Sequence, residues 1–241
     1  VSKLSFYKKD DVKISYRYYK RSKKTLIFLH GLLSDKDGKK SNFLNNYCKK
    51  NKISYLCFDF QGHGRSSGKF TNFGIGDWYN DLVNIITYLK IKNFILVGSS
   101  MGGWVAIIYA LIHPSKVTKL IGIAPAPDFT TKLIWKNFNI HQKNKIKNNK
   151  IVKQKVSSDF AYYYSPELFK RSKKYLIKKI KGNFSGETIF LHGGQDKAVP
   201  YGYNDTFYFN KKFKNFKNIY IKHADHSLSD KDSLITLSKF I

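Results

Sequence analysis

Apolar positions along the chain fall into short continuous runs, separated by longer stretches with a helical period. The runs Ile53 to Phe58, Leu26-Ile27-Phe28-Leu29 and Phe94-Ile95-Leu96-Val97 are apolar almost throughout, rather than at every second residue. Strands of that kind are covered on both faces, as in a parallel sheet between helices. Val117 to Ile123, Thr188 to Leu191 and Asn218 to Ile221 read as further strands. Asn42 to Lys50, Asp77 to Leu89, Trp104 to Ile112 and Ser227 to Phe240 read as helices. Only the segment from Phe6 to Tyr19 alternates apolar and polar residues (Val12, Ile14, Tyr16, Tyr18), which predicts an antiparallel edge hairpin. The order predicts an α/β fold: a mostly parallel central sheet flanked by helices.

That rhythm breaks between about 128 and 186. The stretch shows no clean buried strand, and it is rich in Lys, Asn and aromatics (Trp135, Phe138, Phe160, Tyr162, Tyr163, Tyr164). It is too long for a simple loop. It reads as a basic helical cap inserted into a single domain spanning 1–241. From Pro127 to Gly182 there are 15 basic residues against three acids (Asp128, Asp159, Glu167), about +12 of the total charge.

With 241 residues, 42% of them hydrophobic, the chain can bury a substantial core as one domain. The net charge of +28 raises the question of an anionic partner. Forty of the 44 basic residues are lysine, however, and base readout leans on arginine, so nucleic acid is not an expected partner. Lysine with abundant asparagine also fits an AT-rich coding bias, which raises charge without function. No apolar run approaches the ~18 residues of a membrane span. No apolar core of a signal peptide follows Lys3, so a cytoplasmic protein is expected, or an organellar one if a transit peptide has been removed. Cys48 and Cys57 have neither metal-ligand spacing nor the number for a disulfide framework. Reduced thiols, no metal and no cofactor are expected.

The chemistry sits where the apolar run 94–97 ends. Gly98-Ser99-Ser100-Met101-Gly102 is a Gly-x-Ser-x-Gly motif between a predicted strand and a predicted helix. So tight a turn has no room for side chains two residues before and after the serine, and it pushes Ser100 into an exposed, strained position. A serine nucleophile needs a base, and the base an orienting acid. Asp196 lies just past the strand 188–191, with Asp128 as the rival acid past the strand ending at Ile123. His226 lies past the last strand and is the expected base; His223 sits within or beside that strand and would point sideways. Asp225 adjoins His226 and cannot easily face it. His30 and His192, each followed by glycine at a strand end, read as loop-shaping residues. Oxyanion donors are expected from the backbone N–H of Met101, at a helix N-terminus, and of Leu32 in the His30-Gly31-Leu32-Leu33 loop.

These motifs, in this order, resemble those of the α/β-hydrolase superfamily over essentially the whole chain. Phe28-Leu29-His30-Gly31 and the loop Asp59-Phe60-Gln61-Gly62-His63-Gly64-Arg65-Ser66 add to the likeness; in the family the second loop braces the site. A nearer likeness, to the branch of mitochondrial depalmitoylating and acyl-glucuronide-cleaving hydrolases and their bacterial relatives, is carried by four runs. They are Gly31-Leu32-Leu33-Ser34 with Asp37-Gly38-Lys39-Lys40, Gly98 to Trp104, Leu120 to Ala124, and Lys222-His223-Ala224-Asp225-His226. The resemblance implies hydrolysis of a small acyl ester or thioester, or of an acylated protein, through an acyl-enzyme. Two alternatives stay open: the same residues acting on a carbon–carbon or lactone bond, and a non-catalytic basic binding protein of this fold. Residues Ser100, Asp196 and His226 in family order argue against the second.

Overall fold

The computed structural model describes residues 4–158, 160–205 and 211–241. Val1-Ser2-Lys3, where a signal peptide would have begun, and Asp159, one of the three acids of the insertion, lie outside the described residues. The strands are β1 (Leu4–Lys9), β2 (Val12–Tyr19), β3 (Thr25–Leu29), β4 (Ser54–Phe58), β5 (Phe94–Ser99) and β6 (Val117–Ile123). Further along the chain come β7 (Val152–Lys155), β8 (Ala161–Tyr164), β9 (Phe184–Gly193) and β10 (Phe213–Ile221). The helices are α1 (Lys39–Lys50), α2 (Ile75–Tyr88), α3 (Met101–Ile112), α4 (Ile140–Lys147), α5 (Pro166–Ser172) and α6 (Lys231–Ser238).

Eight strands form one sheet in the order β1-β2-β4-β3-β5-β6-β9-β10. Strands β1 and β2 pair antiparallel, as does β2 with β4, and every other pairing is parallel. Alternation along each strand explains why the central runs are apolar throughout. Ile27 and Leu29 join the larger core with α2 and α3, whereas Leu26 and Phe28 join the core on the opposite face with Leu44 and Cys48 of α1 and Leu237 of α6. Helix α3 is buried from Met101 to Leu111, which accounts for its nearly unbroken apolar sequence. Both cysteines are free and buried in that second core.

Segment 128–186 contains a π-helical stretch Thr130–Trp135, α4, α5 and a two-stranded hairpin of β7 and β8. The hairpin corrects the expectation of an all-helical insertion. Its strands are four residues each and only Val152 and Tyr164 are buried, so they lack the apolar run by which the central strands show themselves. Trp135, Phe138, Tyr164 and Phe169 form the insertion's own aromatic core, with ring centroids 5.6 to 6.4 Å apart.

Element ends moved where charge masks the pattern. Helix α1 starts at Lys39, three residues before the apolar period suggests, because it opens on two lysines that oppose the helix dipole. Strand β10 starts at Phe213, ahead of the predicted Asn218, since its first residues interleave lysines with phenylalanines. The last helix is shorter than expected: Asp230 caps it by accepting a 2.9 Å hydrogen bond from Ser233 N–H. No helix among the described residues is long and apolar enough to cross a membrane.

Candidate active site

Strand β5 delivers the chain to Ser100, and α3 leaves from the next residue. Ser100 has φ 51° and ψ −113°, a left-handed conformation that costs a non-glycine residue about 1–3 kcal/mol. The turn is held by Ser100 N–H donating to Ile123 O (2.9 Å) and by Ala126 N–H donating to Ser100 O (3.1 Å). A Cβ on Gly98 would lie 2.6 Å from the carbonyl carbon of Gly102, and one on Gly103 2.6 Å from Pro125 Cβ. Such contacts are with backbone and a rigid ring, so glycine is required.

Residues from the two late loops meet this serine. His226 places Nε2 3.0 Å from Ser100 Oγ and Nδ1 2.7 Å from Asp196 Oδ2. Asp196 Oδ1 accepts from the N–H groups of Ala198 (2.9 Å) and Val199 (2.8 Å). Burial opposes ionisation of this carboxyl, but the bonds from His226, Val199 and Ala198 outweigh it and hold Asp196 below the usual carboxylate range. Because Oδ2 is an acceptor, Nδ1 of His226 carries the hydrogen and Nε2 is free to accept the serine proton.

The other candidates point elsewhere. Asp128 Oδ1 accepts from Ile177 N–H at 2.8 Å and its Oδ2 lies 3.5 Å from Lys132, so it ties down the insertion. Asp225 caps the turn behind His226 through Ser227 N–H (2.8 Å). His223 is exposed. His192 is buried, with Nε2 2.9 Å from Val199 O and 3.5 Å from Asp196 Oδ2, bracing the loop that carries Asp196. His30 is buried between Gly31 O (2.8 Å from Nδ1) and Phe60 N–H (3.1 Å to Nε2), and burial lowers its pKa to about 4.

That ring fixes the loop of Leu32 beside Ser100; a Cβ on Gly31 would be 3.5 Å from Ser100 Cβ. Met101 N–H opens α3 and has no acceptor within its own helix. The Asp59 loop acts as a brace: its carboxylate accepts from Lys36 N–H (2.8 Å), Arg65 N–H (3.0 Å) and the buried Lys36 Nζ (2.9 Å).

Ser100, Met101, Leu32 and His226 border a cavity of about 590 Å³. The insertion walls it with Phe129, Leu133, Ile134, Phe138, Tyr162 and Tyr164, while Ser34, Lys39, Lys40 and Lys197 contribute polar groups. Of this wall the sequence marked only Phe138, Tyr162 and Tyr164 as aromatics of the insertion; it missed Phe129, Leu133 and Ile134, along with two anchors of the loop that follows Asp196. Tyr203 OH donates to Pro127 O (2.5 Å) and Asn204 Nδ2 donates to Pro125 O (2.9 Å). The Ala124-Pro125-Ala126-Pro127 run was the available signal: prolines have no N–H to donate, so such a run cannot pair as a regular strand and its carbonyls are left to other donors.

Fold and site together define a class. The chain belongs to the α/β-hydrolase family: a model of that family, described as the alpha/beta hydrolase fold, matches residues 24–148. It is thus a hydrolase of that fold. Among curated proteins it is similar to the palmitoyl-protein thioesterase ABHD10, mitochondrial, of Rattus norvegicus, at 28% identity over 230 residues, covering 94% of this chain and 77% of that one. The Homo sapiens protein of the same name is also 28% identical over 230 residues, with 95% and 75% covered. Among solved structures, alpha/beta hydrolase domain-containing protein 10 from mouse superposes with a TM-score of 0.86 at 25% identity, over 99% of this chain and 96% of that one. The ferulic acid complex of Est1E from Butyrivibrio proteoclasticus shares the fold, with a TM-score of 0.77 at 20% identity over 98% and 95%.

Proposed function

We propose that the protein is a serine esterase or thioesterase, with Ser100 as nucleophile, His226 as general base and Asp196 as the orienting acid. The single observation that carries this reading is one imidazole, His226, within hydrogen-bond reach of both Ser100 Oγ (3.0 Å) and Asp196 (2.7 Å). Ser100 Oγ attacks the acyl carbonyl as its proton passes to His226 Nε2. Negative charge forms on the carbonyl oxygen, where the N–H groups of Leu32 and Met101 receive it. Asp196 stays ionised and balances the imidazolium. Collapse breaks the bond to the leaving alcohol or thiol, which takes the proton from Nε2. Water, deprotonated by the same nitrogen, then attacks the acyl-enzyme and frees Ser100.

The insertion, which ends where β9 begins at Phe184, acts as a cap on a single domain, and the apolar wall it supplies takes the acyl group. Relatives named palmitoyl-protein thioesterases support an acyl thioester, including an acylated protein, as substrate. Their mitochondrial names favour the organellar address over the cytoplasmic one.

Ser100→Ala should abolish hydrolysis of a p-nitrophenyl short-chain ester and labelling by a fluorophosphonate probe. Wild-type turnover in that variant would refute the assignment. A panel of oxyesters, thioesters, lactones and β-diketones, compared by kcat/KM, separates acyl transfer from carbon–carbon cleavage by the same residues.

A further inference from the structure

The insertion exposes apolar and basic side chains together. Within the insertion Ile140, Ile151, Val156, Phe160 and Tyr163 are exposed, with Ile140 62% and Val156 60% accessible. Seven lysines lie between residues 136 and 155, and none of them forms an ion pair among the described residues. Arginine is missing from the same stretch.

The hairpin register sorts these groups by face. Val152 pairs with Tyr164 and Gln154 with Tyr162, whereas Lys153 pairs with Tyr163 and Lys155 with Ala161. Side chains alternate across a sheet, so each set lies on one face. Gln154, Tyr162 and Tyr164 line the 590 Å³ cavity. Lys153, Lys155 and Tyr163 therefore lie on the back of that wall, with Lys153 Nζ 5.6 Å from the Tyr163 ring centroid. Val156 N–H donates to Phe160 O at 2.9 Å just beyond the paired residues, and Phe160 borders the same surface recess as Lys153, Lys155 and Tyr163.

We infer that this face is a docking surface for a lipid bilayer carrying anionic headgroups. Exposed aliphatic and aromatic side chains beside Lys153 and Lys155 match the two forces of interfacial binding: apolar partition into the headgroup boundary and attraction to negative lipids. A nucleic-acid surface would call for arginine forks, and no arginine lies between residues 136 and 155. Docking would press the cavity wall itself against the bilayer, where acyl chains reside. The inference does not depend on the chemistry at Ser100.

The test is sedimentation of the whole chain with phosphatidylcholine vesicles, with and without a minority of phosphatidylglycerol. The expected result is binding that requires the anionic lipid. It should weaken about tenfold in Val156→Asp/Phe160→Asp and in Lys153→Glu/Lys155→Glu, on the principle that each variant removes one of the two forces. Both should keep wild-type turnover of soluble p-nitrophenyl acetate, which reports folding and the site independently. Three results overturn the proposal: equal binding to neutral vesicles or none to either; equal loss in Lys8→Glu/Lys9→Glu on β1, which would make the attraction unspecific; or tighter binding to polyglutamate than to vesicles, which would assign the face to an acidic protein.

Discussion

Asp196 and His226, thirty residues apart in the chain, meet in a 2.7 Å hydrogen bond, and the aspartate's other oxygen is committed to two backbone N–H groups. This commitment fixes which way an amide would sit. In Asp196→Asn the oxygen must stay with Ala198 and Val199, so the NH2 group faces His226 Nδ1. Nδ1 then becomes the acceptor, and the ring hydrogen moves to Nε2, facing Ser100. A base in the wrong tautomer cannot take the serine proton. The expected result is a fall in kcat of about 10⁴-fold, the size seen for the same change in a serine protease, with little change in KM. Steady-state hydrolysis of p-nitrophenyl butyrate measures it.

Asp128 gives the contrasting case. Its Oδ1 accepts from Ile177 N–H, a bond that an asparagine oxygen reproduces, and its positive φ of 60° is one asparagine tolerates. Asp128→Asn should keep kcat/KM within about threefold of wild type, since only a weak, half-exposed contact with Lys132 is lost. A drop comparable with that of Asp196→Asn would move the acid to the end of β6.

Stability should fall in acid well before the carboxylates titrate. Burial lowers the pKa of His63 to about 3 and that of His30 to about 4, so both are neutral in the folded protein near pH 5. Unfolded, they titrate near 6.5. Between these values the unfolded chain binds more protons, so the free energy of unfolding declines as pH falls from about 6.5 towards 4. Each histidine accounts for about 1.5 kcal/mol between pH 6.5 and 5. Asp81 acts in the opposite sense: burial raises it to about 7, so its contribution is full at low pH and lost as pH rises through 7. Urea melts of wild type and His63→Phe at pH 7 and pH 5 should show a shallower acid slope in the variant. Parallel slopes would mean that His63 is charged in the fold.

Much of this architecture was legible because its central strands are buried on both faces: a run such as Leu26 to Leu29 leaves no polar position to mislead. Ser100, Asp196 and His226 could be picked out because each follows a strand whose end was readable. The insertion was not legible in that way. Its Lys153, Gln154 and Lys155 are exposed, so sequence carries no burial pattern from which to predict a strand. The Phe129 and Leu133 wall depends on how a π-helical stretch packs over the site, which is a tertiary outcome with no local periodicity. Helix α1 was misjudged at its start because its lysines contradict the usual charge preference of a helix N-terminus.

Glycines at the elbow should be irreplaceable for steric rather than conformational reasons. The Cβ of Gly98→Ala would meet Gly103 Cα at 2.7 Å, and neither backbone segment can retreat without moving Ser100. A loss of about 3 kcal/mol in stability is expected, at the upper end for overpacking. Gly38→Ala is the control: its Cβ would find Ser34 Oγ at 3.7 Å, an ordinary contact, and should cost less than about 1 kcal/mol. Thermal melts of both variants compare them directly.

Leu133 lies half-buried on the cavity wall beside Phe129 and Ile134, where the proposed acyl group would rest. Leu133→Trp adds an aromatic ring to that wall and shortens the space an acyl chain can occupy. Each methylene that no longer fits forfeits about 0.8 kcal/mol of transfer free energy, close to fourfold in kcat/KM. Measured over acetyl to dodecanoyl thioesters, the variant's deficit should be smallest for the shortest chain and widen by about that factor per methylene beyond the obstruction. A deficit uniform across chain lengths would place the acyl group elsewhere in the cavity, towards the polar side lined by Ser34 and Lys39, and would leave the apolar wall to the leaving group.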